Sequence, residues 1–179
     1  MPSGSTTRLQ AGKGRTSCRS RCPAGRFQRG IQIQRTRSAI DGADRALRFY
    51  RDVFRARIAD SVEIEGAVVH AELDFGHGRL QIGEPSALSG LVATPSDEPV
   101  CYSIGLYCPN VDAVTERATA AGATVLEPPT TFVSGDRFAS IRDPFGVRWA
   151  VMTRVEDLSE EESAARVAAW AKEQAGGEK

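Results

Sequence analysis

The residues best suited to chemistry in this chain lie on one short run, Ala67-Val-Val-His-Ala-Glu-Leu-Asp-Phe75. Side chains alternate across an extended strand, so His70 and Glu72 share a face. A His and a carboxylate two residues apart could exchange a proton with a bound molecule or donate to a metal. The plainer reading is a polar strand face with an internal hydrogen bond. A second run, Val100–Cys108, places Val100, Tyr102, Ile104 and Leu106 on one side and Cys101, Ser103, Gly105 and Tyr107 on the other. Ser103 and Tyr107 could hydrogen-bond a ligand, and Phe138 and Met152 could supply an apolar wall. Trp149 shares a face with Val147 and Val151 and reads as core. Asp136 and Arg137 read as an ion pair at a strand edge, of little energetic consequence. Asp143-Pro-Phe-Gly146 reads as a turn, with Asp and Pro suited to its start and Gly to its end.

These residues need a scaffold, and the pattern supplies one twice. Residues 41–54 carry apolar positions at helical spacing (Ala43, Ala46, Leu47, Tyr50, Val53, Phe54), and strands are expected over Ala56–Ile64, Ala67–Phe75 and Arg79–Ile82. A Pro/Ser/Gly-rich connection follows. The order then repeats: strand Val100–Cys108, and a helix capped by Asn110 and stopped by Gly122. Strands are then expected over Thr124–Glu127, before a Pro-Pro break, and over Asp136–Arg142 and Val147–Thr153. Asp44 matches Asp112 at an offset of 68, and Arg79 matches Arg148 at 69. The expected fold is α+β. Two tandem βαβββ modules form a curved eight-stranded mixed sheet around a cleft lined by the polar strand faces. A C-terminal helix is opened by a capping box of Ser159 and Glu162. The modules are bounded at 31–84 and 100–155, with a linker at 85–99 and the C-terminal helix and tail at 156–179.

The 179 residues are 41% hydrophobic and 26% charged, enough for one domain with a sizeable core. No run of about eighteen apolar residues exists, which argues against a membrane span. Residues 1–40 hold nine of the 23 Lys and Arg residues and no acid, so the rest of the chain is net acidic. That balance disfavours nucleic acid as a partner, because counterion release needs bases on the contacting face. Residues 1–30 lack helical or strand periodicity and are expected to form a disordered basic tail. Cys18, Cys22, Cys101 and Cys108 lack repeated C-x-x-C spacing, which favours reduced thiols and a cytoplasmic setting over a zinc site.

The run Asp41-Gly-Ala-Asp-Arg-Ala-Leu-Arg-Phe-Tyr-Arg-Asp-Val-Phe54 resembles the first helix of the vicinal oxygen chelate superfamily. That superfamily contains the glyoxalase I, bleomycin-resistance and extradiol dioxygenase proteins. The stretch Pro109–Pro129 is similar to the helix of its second module. Gly135-Asp-Arg137, Asp143-Pro-Phe-Gly146, Arg148-Trp149 and the tail Arg154–Glu162 resemble its PhnB-like subgroup. The resemblance implies a cleft for a small organic molecule and module pairing within a chain or across a homodimer. In metal-dependent members it implies one metal ligand on the first and last strand of each module.

Carried over, those positions fall on Arg35, Gln81, Ser103 and Ala150. Arginine offers no lone pair and alanine has no donor atom, so no metal or other cofactor is expected. The expectation is therefore a small-molecule binding protein, with Gln81, Ser103, Tyr107, Phe138 and Met152 touching the ligand. The alternative is a metal-dependent lyase, isomerase or dioxygenase that recruits a divalent ion through His70, Glu72 and Gln81.

Overall fold

The computed structural model describes residues 35–95 and 99–176, with Arg35 described by its backbone alone. The expected basic tail over 1–30 lies outside the described residues.

The first module runs β1 (Arg35–Ala39), α1 (Ala43–Phe54), β2 (Arg57–Ile64), β3 (Ala67–Asp74) and β4 (Arg79–Gly83). The second repeats it as β5 (Ile104–Tyr107), α2 (Val111–Ala120), β6 (Thr124–Thr131), β7 (Asp136–Arg142) and β8 (Arg148–Arg154), followed by α3 (Glu160–Gly176). The two tandem modules and the C-terminal helix are as expected. The eight strands form two four-stranded mixed sheets, ordered β1-β4-β3-β2 and β5-β8-β7-β6. In each, the first strand runs parallel to the last and the other neighbours are antiparallel.

Each helix is held onto its sheet by a cap from the far end of its own module. Nothing local caps α1, because Gly42 (φ 78°) precedes it. Instead the Glu84 carboxylate, just past β4, accepts from the N–H groups of Gly42 (3.2 Å) and Ala43 (2.8 Å). A carboxylate there satisfies orphan donors and complements the helix dipole. In the second module Thr153 stands at the offset that relates Arg79 to Arg148, and its Oγ1 accepts from Val111 N–H at 2.8 Å. Asn110 adds the expected side-chain cap, accepting from Ala113 N–H at 3.0 Å.

Alternation then decides what each sheet buries. Ala71, Leu73, Leu80 and Ile82 point to α1, while Ala139, Ile141, Trp149 and Val151 point to the helix side of the second sheet, all 4% exposed or less. One buried cluster spans both modules. Arg117 of α2 donates through two nitrogens to the Val53 carbonyl at the end of α1, at 3.2 and 3.0 Å. Tyr50 of α1 reaches Asp143 in the turn between β7 and β8.

Two strands differ from expectation by more than one residue at an end. The strand read over 100–108 is ordered as a ladder only from Ile104, which pairs with Trp149. Before Trp149 the neighbouring strand has barely left its turn, so residues 100–103 have no ladder to join. Tyr102 instead turns its hydroxyl to Ser38 Oγ (3.3 Å) and Thr94 Oγ1 (3.4 Å), tying the linker to β1. The Pro128-Pro129 pair does not end β6, which continues to Thr131. β6 is an edge strand, and its register slips between Glu127 and Thr130, so the missing N–H groups interrupt no central ladder.

Helix α3 opens as the capping box predicts, with Glu162 N–H donating to Ser159 Oγ at 3.1 Å. It buries none of its residues. Trp170 packs edge-on to Phe132, with ring centroids 5.0 Å apart.

Candidate functional site

The face of the first sheet turned away from α1 is ionic. Register aligns Arg37, Gln81 and Glu72 across β1, β4 and β3, with Arg79 opposite Asp74 one row on. Glu72 is only 7% exposed. Its carboxylate forms an ion pair with Arg79, and the Gln81 amide lies 3.5 Å away. Asp74 takes Arg57 at 2.6 Å and stands 3.9 Å from the second terminal nitrogen of Arg79. His70 sits on the same strand, opposite Val62 of β2. The structure thus brings Gln81 and Glu72 together, but commits Glu72 to an arginine.

On the second sheet the corresponding face carries a small-residue row, Gly105–Ala150–Ser140, beside a larger one, Tyr107–Met152–Phe138. Tyr107, Phe138 and Met152 are therefore cross-strand neighbours, as their expected shared wall requires. Ser103 lies outside the ladder and is exposed. The Tyr107 hydroxyl donates to Asp136 Oδ2 at 3.0 Å, and Arg154 Nε donates to Asp136 Oδ1 at 2.7 Å. The expected pairing of Asp136 with Arg137 is not made. Adjacent strand residues point to opposite faces. Arg137 therefore turns to Asp112 of α2, with contacts of 2.7 and 2.8 Å.

Between the two sheets, where β1 and β4 approach β5, lies a cavity of about 330 Å³. Phe75, Leu80, Ile104, Leu106 and Trp149 form its apolar wall, and His77, Arg79 and Tyr107 stand among its polar lining. Of the residues singled out from sequence as ligand contacts, Tyr107 reaches this cavity. Trp149 is core, as read, at 1% exposure. It is also cavity wall, a double role that strand alternation does not reveal. His77 comes from the tight turn between β3 and β4, and Arg79 opens β4. Their sequence context marks a turn and a repeat, with no signal that both would meet β5.

Asp143 fixes Trp149 from behind. Its carboxylate accepts from Trp149 Nε1 (2.9 Å), the Tyr50 hydroxyl (2.7 Å), and the N–H groups of Phe145 and Val147 (both 2.9 Å). Burial pushes the Asp143 carboxyl above the usual carboxylate range, against the pull of these donors. Tyr50 is pushed well above the ordinary tyrosine value by its own burial and by the neighbouring Asp143 charge.

Known proteins share this architecture. An uncharacterized protein of Mycobacterium bovis is 31% identical over 134 residues, covering 69% of this chain and 84% of its own length. Among solved structures, TioX from Micromonospora sp. is 26% identical, with a TM-score of 0.54 over 69% of this chain and 99% of its own. A PhnB protein from Bacillus cereus shares the fold at 19% identity, with a TM-score of 0.53 over 68% of this chain and 99% of its own. The family profile of the Glyoxalase/Bleomycin resistance protein/Dioxygenase superfamily matches residues 32–151, about two thirds of the chain. The chain belongs to that superfamily.

Proposed function

We propose that this protein binds a small organic molecule in the cavity between its two modules and does so without a divalent metal. The observation that carries the reading is the cavity itself, an apolar-walled cleft with a few polar groups contributed by both modules. That composition suits ligand binding. Proteins of this superfamily commonly bind small molecules, and often use divalent metals.

The donor set here does not fit a metal. By the family resemblance Gln81, Ser103 and Ala150 fall at three of the ligand positions, and the buried carboxylate beside Gln81, Glu72, is paired with Arg79. Among the described residues no three His, Cys, Asp or Glu side chains converge. What the side chains can do is enclose an apolar body, exclude water and hydrogen-bond one polar end.

A thermal-shift screen of small organic compounds against protein dialysed with a chelator tests this reading. The expected result is stabilisation by at least one compound in the metal-free protein. Stabilisation that requires added Zn, Ni, Mn or Fe, with a stoichiometric ion found by elemental analysis, would overturn it in favour of a metal-dependent enzyme.

A further inference from the structure

Among the described residues, the cavity's lining holds a guanidinium and no carboxylate. Arg79 and His77 stand among its polar groups with the Tyr107 phenol. Arg79 is not fully spent on its own chain. One terminal nitrogen pairs with Glu72, the other is 3.9 Å from an Asp74 that already holds Arg57 at 2.6 Å, and the side chain is 42% exposed. A guanidinium carries five N–H donors in a planar fork, so it can serve an internal carboxylate and an incoming anion together.

Two aromatic side chains stand in the apolar lining. Phe75 and Trp149 have ring centroids 6.0 Å apart, tilted by 42°, and the Trp149 indole is locked through its N–H to Asp143. Two glycines in the lining leave room for an occupant. A Cβ on Gly78 would meet nothing within 4 Å, and one on Gly105 would meet only the Met152 methyl at 3.5 Å. About 330 Å³ is at the small end of ligand cavities, which suits a compact occupant of two or three rings.

We propose that the occupant is a compact apolar molecule of two or three rings bearing a single acidic group, its rings against Phe75, Ile104 and Leu106 and its anion at Arg79. This rests on the binding reading above and adds the ligand's shape and charge.

Two fluorescent probes of matched skeleton separate the two claims. 1-Anilinonaphthalene-8-sulfonate carries the anion, and N-phenyl-1-naphthylamine lacks it. In the full-length, metal-free protein the sulfonate is expected to bind at one site per chain, about tenfold or more tighter than the neutral probe. Arg79→Gln should remove that preference and Arg79→Lys, which keeps the charge, should retain most of it. Gly105→Val should exclude both probes by filling the cavity. Equal affinity for the two probes, or a preference untouched by Arg79→Gln in a variant that still melts cooperatively, overturns the anionic assignment and leaves the binding reading standing. Failure of both probes to bind, or binding indifferent to Gly105→Val, overturns the binding reading itself.

Discussion

The Tyr50 hydroxyl, in the helix of the first module, donates to Asp143 Oδ2 in the second at 2.7 Å, and the same oxygen accepts from Trp149 Nε1 at 2.9 Å. One buried oxygen thereby fixes both the contact between modules and the orientation of a cavity wall. Asp143→Ala would leave two buried side-chain donors and two backbone N–H groups without their acceptor, a loss expected to cost about 3–5 kcal/mol. Tyr50→Phe keeps the ring packing and removes one donor, at about 1–2 kcal/mol. Urea denaturation checks both values, and equal costs for the two would contradict the shared-acceptor account.

Asp143 also predicts a pH dependence. Its carboxyl is raised above the ordinary value near 3.8 by burial, so the folded state holds the proton more tightly than the unfolded state. Its contribution is then fully present below about pH 3.8 and is lost as pH rises through the folded value. The stability of the wild type relative to Asp143→Asn, which does not titrate, should decline upward from about pH 3.8 and then level. A difference that grows with pH would show that the four donors, rather than burial, control this group.

Gly146 closes the turn that presents Asp143. It has φ +87°, and a Cβ there would collide with the Pro95 carbonyl oxygen and lie 2.9 Å from that of Thr94. Both atoms are backbone and cannot swing aside. Gly146→Ala should therefore cost about 3 kcal/mol or more. Gly66 has a similar φ, +81°, with nothing within 4 Å of an added methyl, and Gly66→Ala should cost only about 1–2 kcal/mol. Thermal melts of the pair separate steric collision from backbone strain.

The long-range caps make a paired prediction across the repeat. Glu84→Ala removes the acceptor for two N–H groups at the start of α1, and Thr153→Ala removes the one for Val111 N–H at the start of α2. Each should cost about 1–2 kcal/mol. Glu84→Ala should be the more damaging, because Asn110 still caps α2 whereas α1 has no local side-chain cap. The reverse order in chemical denaturation would contradict the assignment.

Whatever depends on local periodicity is legible in the sequence. The two helices, the tandem order and the polar faces of the strands follow from apolar spacing, and Asn110, Gly122 and Ser159 mark helix ends that the structure places close by. The Pro-Pro pair misleads because proline forbids a central strand but not an edge strand, and edge position is a property of the sheet order. Asp143 reads only as a turn former because its other partner, Tyr50, is distant in sequence. The cavity is least legible. Tyr107 is visible from strand alternation, but Phe75, His77 and Arg79 meet Ile104 and Trp149 only through packing between modules.

The most direct test of the central claim is a titration of chelator-treated Trp170→Phe protein with 1-anilinonaphthalene-8-sulfonate, followed by the emission of Trp149, then the one remaining tryptophan of the chain's two. The account predicts saturable quenching at one probe per chain, with the same affinity after Zn, Ni, Mn or Fe is restored. Quenching that appears only once a divalent ion is added would contradict it.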